Sequence, residues 1–348
     1  MFESASLARR HLWGLTLAAG DGRRLQPFVE QLRGEPLPKQ FVNFIGRRSM
    51  LEHTFQRVER LIDRERLITI VSRHHLLHAE ARRQLGARPT ATIVVQPGNK
   101  ETLPGILLPL MFVHRRCSEA IVALFPSDHF ILEEDRFMAH VQLAFRAVMD
   151  DTSRLIMLAI APRHAETEYG YIVPIPGAPA GTLARFGVQP VSEFVEKPRA
   201  ALARCLVGRG GLWNTMTMVF KLKTFLALVR SVQPKIYWDF MRIYQAIESP
   251  AERQAIADLY QRLEPLNFSK NLIEKIAHRY PERISVLPIS NVYWSDWGSS
   301  GRIRQTLDFL TSHRTQGSQE KTTYRCLRAG IQNRPVGTSC SDAPSAII

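Results

Sequence analysis

Few side chains in this sequence have the type and spacing to do chemistry, and they fall in short clusters. The first is Leu17-Ala18-Ala19-Gly20-Asp21-Gly22-Arg23-Arg24-Leu25-Gln26-Pro27. Glycines let backbone N–H groups approach phosphates closely, and arginine adds a forked set of donors. A dinucleotide-binding fingerprint would need a third glycine at position 25, which is Leu25, and a P-loop would need Gly-Lys-Ser/Thr. On its residues alone the segment is either a phosphate-binding loop or a tight strand-to-loop turn. The second cluster is Phe125-Pro126-Ser127-Asp128-His129-Phe130. A carboxylate just past an apolar run suits Mg²⁺, which takes one or two carboxylates plus phosphate oxygens. An Asx turn would place the same residue there. Asp296, in Tyr293-Trp294-Ser295-Asp296-Trp297-Gly298-Ser299, reads on its own residues as a capped turn. Val195-Glu196-Lys197-Pro198 is a charged strand end stopped by proline. His129 reads as a packed neighbour, not a catalyst.

The elements that must position these residues follow from hydrophobic periodicity. Leu12–Ala19, Ala120–Phe125 and Leu155–Ile160 are short apolar runs and Leu67–Ser72 and Thr92–Val95 short β-branched ones, and all read as buried strands. Ser49-Met50-Leu51-Glu52 has the form of a capping box, with Leu51, Phe55, Val58 and Ile62 following at helical spacing. Thr102–Arg116 and Asp135–Met149 read as further helices. Strand and helix alternate up to residue 160, which implies an α/β fold. Ligands in such folds bind outside the carboxyl ends of strands, where Gly20 and Asp128 fall. From Tyr169 to Pro198 the chain reads as hairpins. Thr215–Leu222 and Ile284–Ile289 read as strands, Trp238–His278 as mostly helical, and Ile303–Leu310 as a closing helix. The expected division is a catalytic domain over 1–311 and a polar, poorly ordered tail over 312–348.

The bulk numbers set limits. The 348 residues are 45% hydrophobic and 22% charged, a globular composition. No apolar run has the length to cross a bilayer, and Met1–Arg10 lacks the form of a signal peptide, so the expectation is a cytoplasmic protein with no membrane partner. The four cysteines form no CxxC pair and read as free thiols. Net charge is +14, but the basic residues are scattered as pairs and do not form a run interleaved with aromatics. They read as a solvated surface, and no nucleic-acid partner is expected.

The motifs together resemble the sugar-phosphate nucleotidyltransferases. Ala18-Ala19-Gly20-x-Gly22-x-Arg24-Leu25-x-Pro27, followed by Pro38-Lys39-Gln40-Phe41, is similar to that family's signature. There the loop wraps a nucleoside triphosphate while the arginine and lysine neutralise its phosphates. Pro126-Ser127-Asp128-His129 looks like the mannose-1-phosphate guanylyltransferase version of the second motif. Asp296 matches the family's Trp-x-Asp-x-Gly-Ser/Thr segment, and Glu196-Lys197-Pro198 its Glu-Lys-Pro segment. Glu166-Thr167-Glu168-Tyr169-Gly170-Tyr171-Ile172 resembles Glu-Thr-Gly-Tyr-Gly-Tyr-Ile, and Trp213-Asn214-Thr215 a sugar-binding Trp-Asn-Thr/Ser-Gly segment. Gln96-Pro97-Gly98-Asn99-Lys100-Glu101-Thr102 is a looser match to a segment near the base. The resemblance covers roughly residues 10 to 310. It departs at Glu168 and Met216, each in place of a glycine, and at Ser269, where the family's helix carries an aspartate.

The resemblance implies a Rossmann-like mixed, mostly parallel sheet flanked by helices. It also implies a reaction, GTP + mannose 1-phosphate to GDP-mannose + pyrophosphate, with Mg²⁺ on Asp128 and Asp296. Arg24, Lys39, Asp128 and Lys197 would be catalytic. Ala18, Ala19, Gly20, Gly22, Arg24, Lys39, Gln96, Thr102, Ser127 and Asp128 would meet the nucleotide. Tyr169, Gly170, Glu196, Lys197 and Asn214 would meet the sugar phosphate. The alternatives are another pair, such as dTDP- or ADP-glucose, and a non-catalytic regulatory relative. A homodimer is one option for assembly. No hexapeptide-repeat domain is seen, so trimerisation through a β-helix is not expected.

Overall fold

The apolar runs do become strands, and the side chains along them alternate between two cores. Along Ile121–Phe125, Ile121, Ala123 and Phe125 pack into one core while Val122 and Leu124 pack into the other. Leu155–Ile160 divides in the same way. A strand buried on both faces must read as a continuous apolar run, because successive side chains point to opposite sides. This is a computed structural model, and it describes residues 11–175, 177 and 181–313. The rest of the polar C-terminal segment, including Cys326 and Cys340, lies outside the described residues. The expected boundary at residue 311 falls inside the closing helix, Ser300–His313.

The strands in chain order are β1 (Leu12–Leu17), β2 (Leu67–Ser72), β3 (Ile93–Gln96), β4 (Ile121–Pro126), β5 (Phe130–Ile131), β6 (Leu155–Ile160), β7 (Gly170–Pro174), β8 (Gln189–Glu196), β9 (Leu212–Lys221), β10 (Ile284–Ile289) and β11 (Trp294–Ser295). Nine of them form one sheet in the order β3-β2-β1-β4-β9-β6-β10-β8-β7, and β11 pairs with β5 in a small second sheet. The mixed sheet was expected; seven of its nine strands share one direction, and β8 and β9 run against them. Four pairings are parallel, β1–β2, β1–β4, β2–β3 and β6–β10. Five are antiparallel, four of them involving β9 or β7. The physical reason is β9, which enters against the grain between β4 and β6, followed by the β7–β8 hairpin at the edge. An apolar run signals burial but carries no direction.

Helices cover both faces. Met50–Val58 and Glu134–Asp150 pack on one side, and Thr102–Arg116, Leu222–Val232 and Pro234–Ala246 on the other. The Ser49 capping box forms as expected: Glu52 N–H donates to Ser49 Oγ, and Ser49 N–H to the Glu52 carboxylate. No helix among the described residues is long and apolar enough to cross a membrane.

Candidate active site

Register explains why the first two motifs meet. Leu17 at the end of β1 lies opposite Pro126 at the end of β4, so the glycine loop and the Asp128 segment leave the same edge side by side. Asp296 arrives through the small sheet, where β11 pairs antiparallel with β5 and sets Ser295 opposite Phe130. The two aspartates, far apart in the chain, are thereby placed on adjoining turns.

The glycine loop is held from inside. Gln40 Nε2 donates to the carbonyls of Ala18 and Gly20, both at 2.9 Å, and Ser72 Oγ to that of Ala19 at 2.9 Å. Gln96 Nε2 in turn donates to Ser72 Oγ at 3.0 Å. The Ala18 N–H donates to the Ile70 carbonyl at 3.0 Å and the Leu25 N–H to that of Gly22 at 2.9 Å, so the N–H groups the loop could offer an anion are those between them. Gly22 has φ 63°, and a methyl group there would lie 3.2 Å from the Lys39 backbone nitrogen. Only glycine takes that conformation without strain.

Lys39 is the hinge of the site. Its Nζ lies 3.0 Å from Asp128 Oδ2 and donates to the Asp296 carbonyl at 2.7 Å. The side chain is buried. A cavity of about 490 Å³ opens beside it, with Gly22, Arg24, Lys39, Glu101 and Asp128 in its walls. That is within the size range of small-molecule sites. Arg24 reaches across to Glu168, its Nη1 2.6 Å from Oε2. Ser127 turns away from the cavity: its backbone N–H and Oγ both donate to the Leu17 carbonyl, at 3.1 and 2.6 Å. Gln96 is buried under the loop, and Thr102 starts the Thr102–Arg116 helix with its Oγ1 near Phe268 N–H.

The two carboxylates differ in their freedom to take a metal. Asp128 Oδ2 faces Lys39, while Oδ1 has His129 Nε2 as a neighbour only at 3.7 Å. Asp128 therefore fits a cation shared with phosphate oxygens. Asp296 is more heavily engaged. Its Oδ1 accepts from Tyr169 OH at 2.8 Å, Gly298 N–H at 3.0 Å and Arg302 Nη1 at 3.0 Å, and Oδ2 also meets Arg302 Nη1 at 3.0 Å. Burial alone would raise the Asp296 carboxyl, but Lys39 and Arg302 outweigh it and hold it below its ordinary value. In this arrangement Asp296 ties Tyr169, Gly298 and Arg302 together. Among the described residues, the one group of three metal-capable side chains within 4.8 Å is Asp21, His74 and His75. His75 Nδ1 there takes Ser72 N–H, and burial pushes its ring down to about 4, so it serves as a cap on the turn after β2.

Arg302 was missed by sequence reasoning. It also binds Glu166 at 2.8 Å and lies over the Tyr169 ring, 4.5 Å from its centroid. Tyr169 is thus held between Asp296 and Arg302, and burial is the first cause of a strongly raised hydroxyl pKa. No spacing rule would have paired Arg302 with Glu166.

The proposed sugar-side residues gather next to this cluster. Lys197 N–H donates to the Tyr169 carbonyl at 3.2 Å, and a methyl group on Gly170 would lie 2.7 Å from Glu196 Oε2 and 3.5 Å from Asn214 Cβ. Burial raises the Glu196 carboxyl. Lys197 itself is exposed. Of the six non-glycine residues with positive φ among the described ones, Glu101, Lys197, Met216 and Trp297 all lie in these segments. Such strain tends to collect at functional sites.

Residues 13–312 match the nucleotidyl transferase family. This chain belongs to that family. Among curated relatives, the xanthan biosynthesis protein XanB of Xanthomonas campestris pv. campestris (strain B100) is 30% identical over 82% of this chain and 57% of its own length. The mannose-1-phosphate guanylyltransferase RfbM of Salmonella typhimurium is 28% identical over 81% of this chain and 56% of its own. The chain therefore spans little more than half the length of the relatives it matches. Among solved structures, a Thermus thermophilus protein described as a mannose-1-phosphate geranyltransferase shares the nucleotidyl transferase fold with a TM-score of 0.68, 24% identity, and coverage of 83% of this chain and 76% of that one.

Proposed function

We propose that this chain joins a nucleoside triphosphate to a sugar 1-phosphate, and that the pair is GTP and mannose 1-phosphate. The carrying observation is Lys39, bridged between Asp128 and the Asp296 carbonyl at the wall of the cavity under the glycine loop. The Pro126-Ser127-Asp128-His129 motif and the named relatives support guanosine and mannose over a dTDP- or ADP-glucose pair.

In this reading a sugar-phosphate oxygen attacks the α-phosphorus in line. A bond from that oxygen to phosphorus forms, the α–β phosphoanhydride breaks, and pyrophosphate leaves. The sugar phosphate is already ionised at neutral pH, so no strong base is needed. The protein must bring two anions together and offset their repulsion. Arg24, Lys39 and the loop N–H groups hold the triphosphate, and Lys197 anchors the sugar phosphate. Asp128 would hold Mg²⁺ with phosphate oxygens, and the ion would supply charge neutralisation. Asp296 keeps Tyr169 and Arg302 in place.

A second reading, a non-catalytic nucleotide-sugar-binding relative, is favoured by the Arg24–Glu168 contact, which occupies a phosphate-binding side chain with a carboxylate. A panel crossing four nucleoside triphosphates with several sugar 1-phosphates, followed by pyrophosphate release, separates the two. Turnover with GTP and a mannose-type 1-phosphate is expected, with mannose 1-phosphate leading among the fully hydroxylated sugars. Turnover with a different pair would replace the substrate assignment, and none with any pair would favour the binding role.

A further inference from the structure

Met216 sits in the left-handed region at φ 57°, a conformation that costs a side-chain-bearing residue about 1–2 kcal/mol. It lies at an irregularity in β9: the register with β6 shifts between Met157, opposite Met218, and Ala159, opposite Asn214. The bulge is pinned by Thr215 Oγ1 donating to the Leu158 carbonyl at 2.6 Å, and by Met216 N–H donating to Asn214 Oδ1 at 2.9 Å. Bulges re-aim side chains, and a strained one needs a reason to persist.

The sulfur supplies one. Asn214 Nδ2 and Ser269 Oγ both lie 3.6 Å from Met216 Sδ, as donors to one acceptor. Ser269 is buried in the π turn Ser269–Ile273 and also interacts with the Glu196 carboxyl. A thioether is a weak acceptor, so two polar groups are only poorly served by it. Polar groups converging in a sugar pocket would ordinarily meet a hydroxyl, which both accepts and donates. Here an apolar side chain fills the place between them.

We propose that Met216 is a specificity-determining residue: it occupies the position of one sugar hydroxyl between Asn214 and Ser269, so the pocket selects a hexose 1-phosphate that lacks that hydroxyl. This rests on the proposed function, in which Lys197 anchors the sugar phosphate, and on Asn214 and Glu196 facing the same sugar. A monodeoxyhexose 1-phosphate fits beside the thioether, whereas a fully hydroxylated hexose must push it aside.

The test is calorimetric binding of mannose and glucose 1-phosphates and their 2-, 3-, 4- and 6-deoxy analogues to the wild type, Met216→Gly and Met216→Ala. Glycine relieves the backbone strain, and alanine keeps it while removing the sulfur, so melting temperatures separate folding from pocket effects. One deoxy analogue should bind the wild type about tenfold or more tighter than its parent. Met216→Gly should erase that preference, chiefly by tightening the parent. Binding confined to the two variants would mean that Met216 blocks the pocket without selecting a deoxy sugar, and would overturn the inference. Equal binding of parent and all analogues to the wild type, or a preference that survives both variants, would overturn the inference while leaving any measured nucleotidyl transfer standing. If no hexose 1-phosphate binds wild type or variants, the sugar-pocket assignment itself falls, and this inference with it.

Discussion

Arg24 Nη1 and Glu168 Oε2 stand 2.6 Å apart, joining the glycine loop to the segment that leads into β7. Both side chains are about half exposed, so the pair adds only about 0–1 kcal/mol to stability. Its larger effect is on ligand: a triphosphate must displace Glu168 to use Arg24. Glu168→Gly should tighten nucleoside triphosphate binding by roughly three- to tenfold, the equivalent of about 1 kcal/mol, with melting temperature almost unchanged. Calorimetry at two salt concentrations measures it. Weaker binding would mean that Glu168 orients Arg24 for the ligand.

Gly22 tests the loop's backbone. Its φ of 63° and the Lys39 nitrogen 3.2 Å from any added methyl leave no relaxed place for a side chain. Gly22→Ala should cost about 1–2 kcal/mol in denaturant unfolding. It should also reduce triphosphate affinity, since the shifted loop would carry Lys39 with it. Gly20→Ala is the control, because nothing lies within 4 Å of a methyl group there. Equal stability losses in the two variants would refute the steric argument.

These contrasts show what a sequence carries. The ends of β1 and β4 were legible because their apolar runs stop abruptly, and the residues after them, Gly20 and Asp128, leave one edge. Lys39 was legible only through its motif. The side chains that close the site were not. Arg302 finds Asp296 and Glu166, and Glu168 finds Arg24, across loops whose relative placement depends on the whole sheet. Gln96, expected near the base, lies under the loop and supports Ser72. Its position at the end of β3 was readable, but the direction of its amide was not. The reversed course of β9 was also hidden, since burial on both faces looks the same in either direction.

Asp128 separates charge from shape. Asp128→Asn keeps the side chain's size but removes the charge facing Lys39 Nζ at 3.0 Å. The protein should stay folded, with turnover falling by about 10²–10³. If Asp128 holds a cation with the phosphates, raising the Mg²⁺ concentration should recover part of the wild-type rate for Asp128→Glu but not for Asp128→Asn. Full activity in Asp128→Asn would remove both the metal and the catalytic assignment.

Asp296 gives a pH test. Its carboxyl is held below the ordinary 3.8: burial opposes this, but the positive charges of Lys39 and Arg302 prevail. Between the depressed folded value and 3.8 the unfolded chain binds more protons than the folded one, so stability rises with pH across that window. The contribution is complete above about pH 4 and is lost as pH falls through the folded value. Glu166, also depressed and bound to Arg302, acts in the same sense. Melting temperature followed from about pH 6 to about pH 2.5 should therefore drop in the wild type below about pH 4. Arg302→Ala should start lower at the neutral end, because it strips the guanidinium from two partly buried carboxylates, and it should show a shallower acid decline because there is less depression left to lose. Asp296→Asn should also flatten the curve while keeping the Arg302–Glu166 pair. Three parallel curves would mean that the charge of Asp296 does not hold this side of the site together.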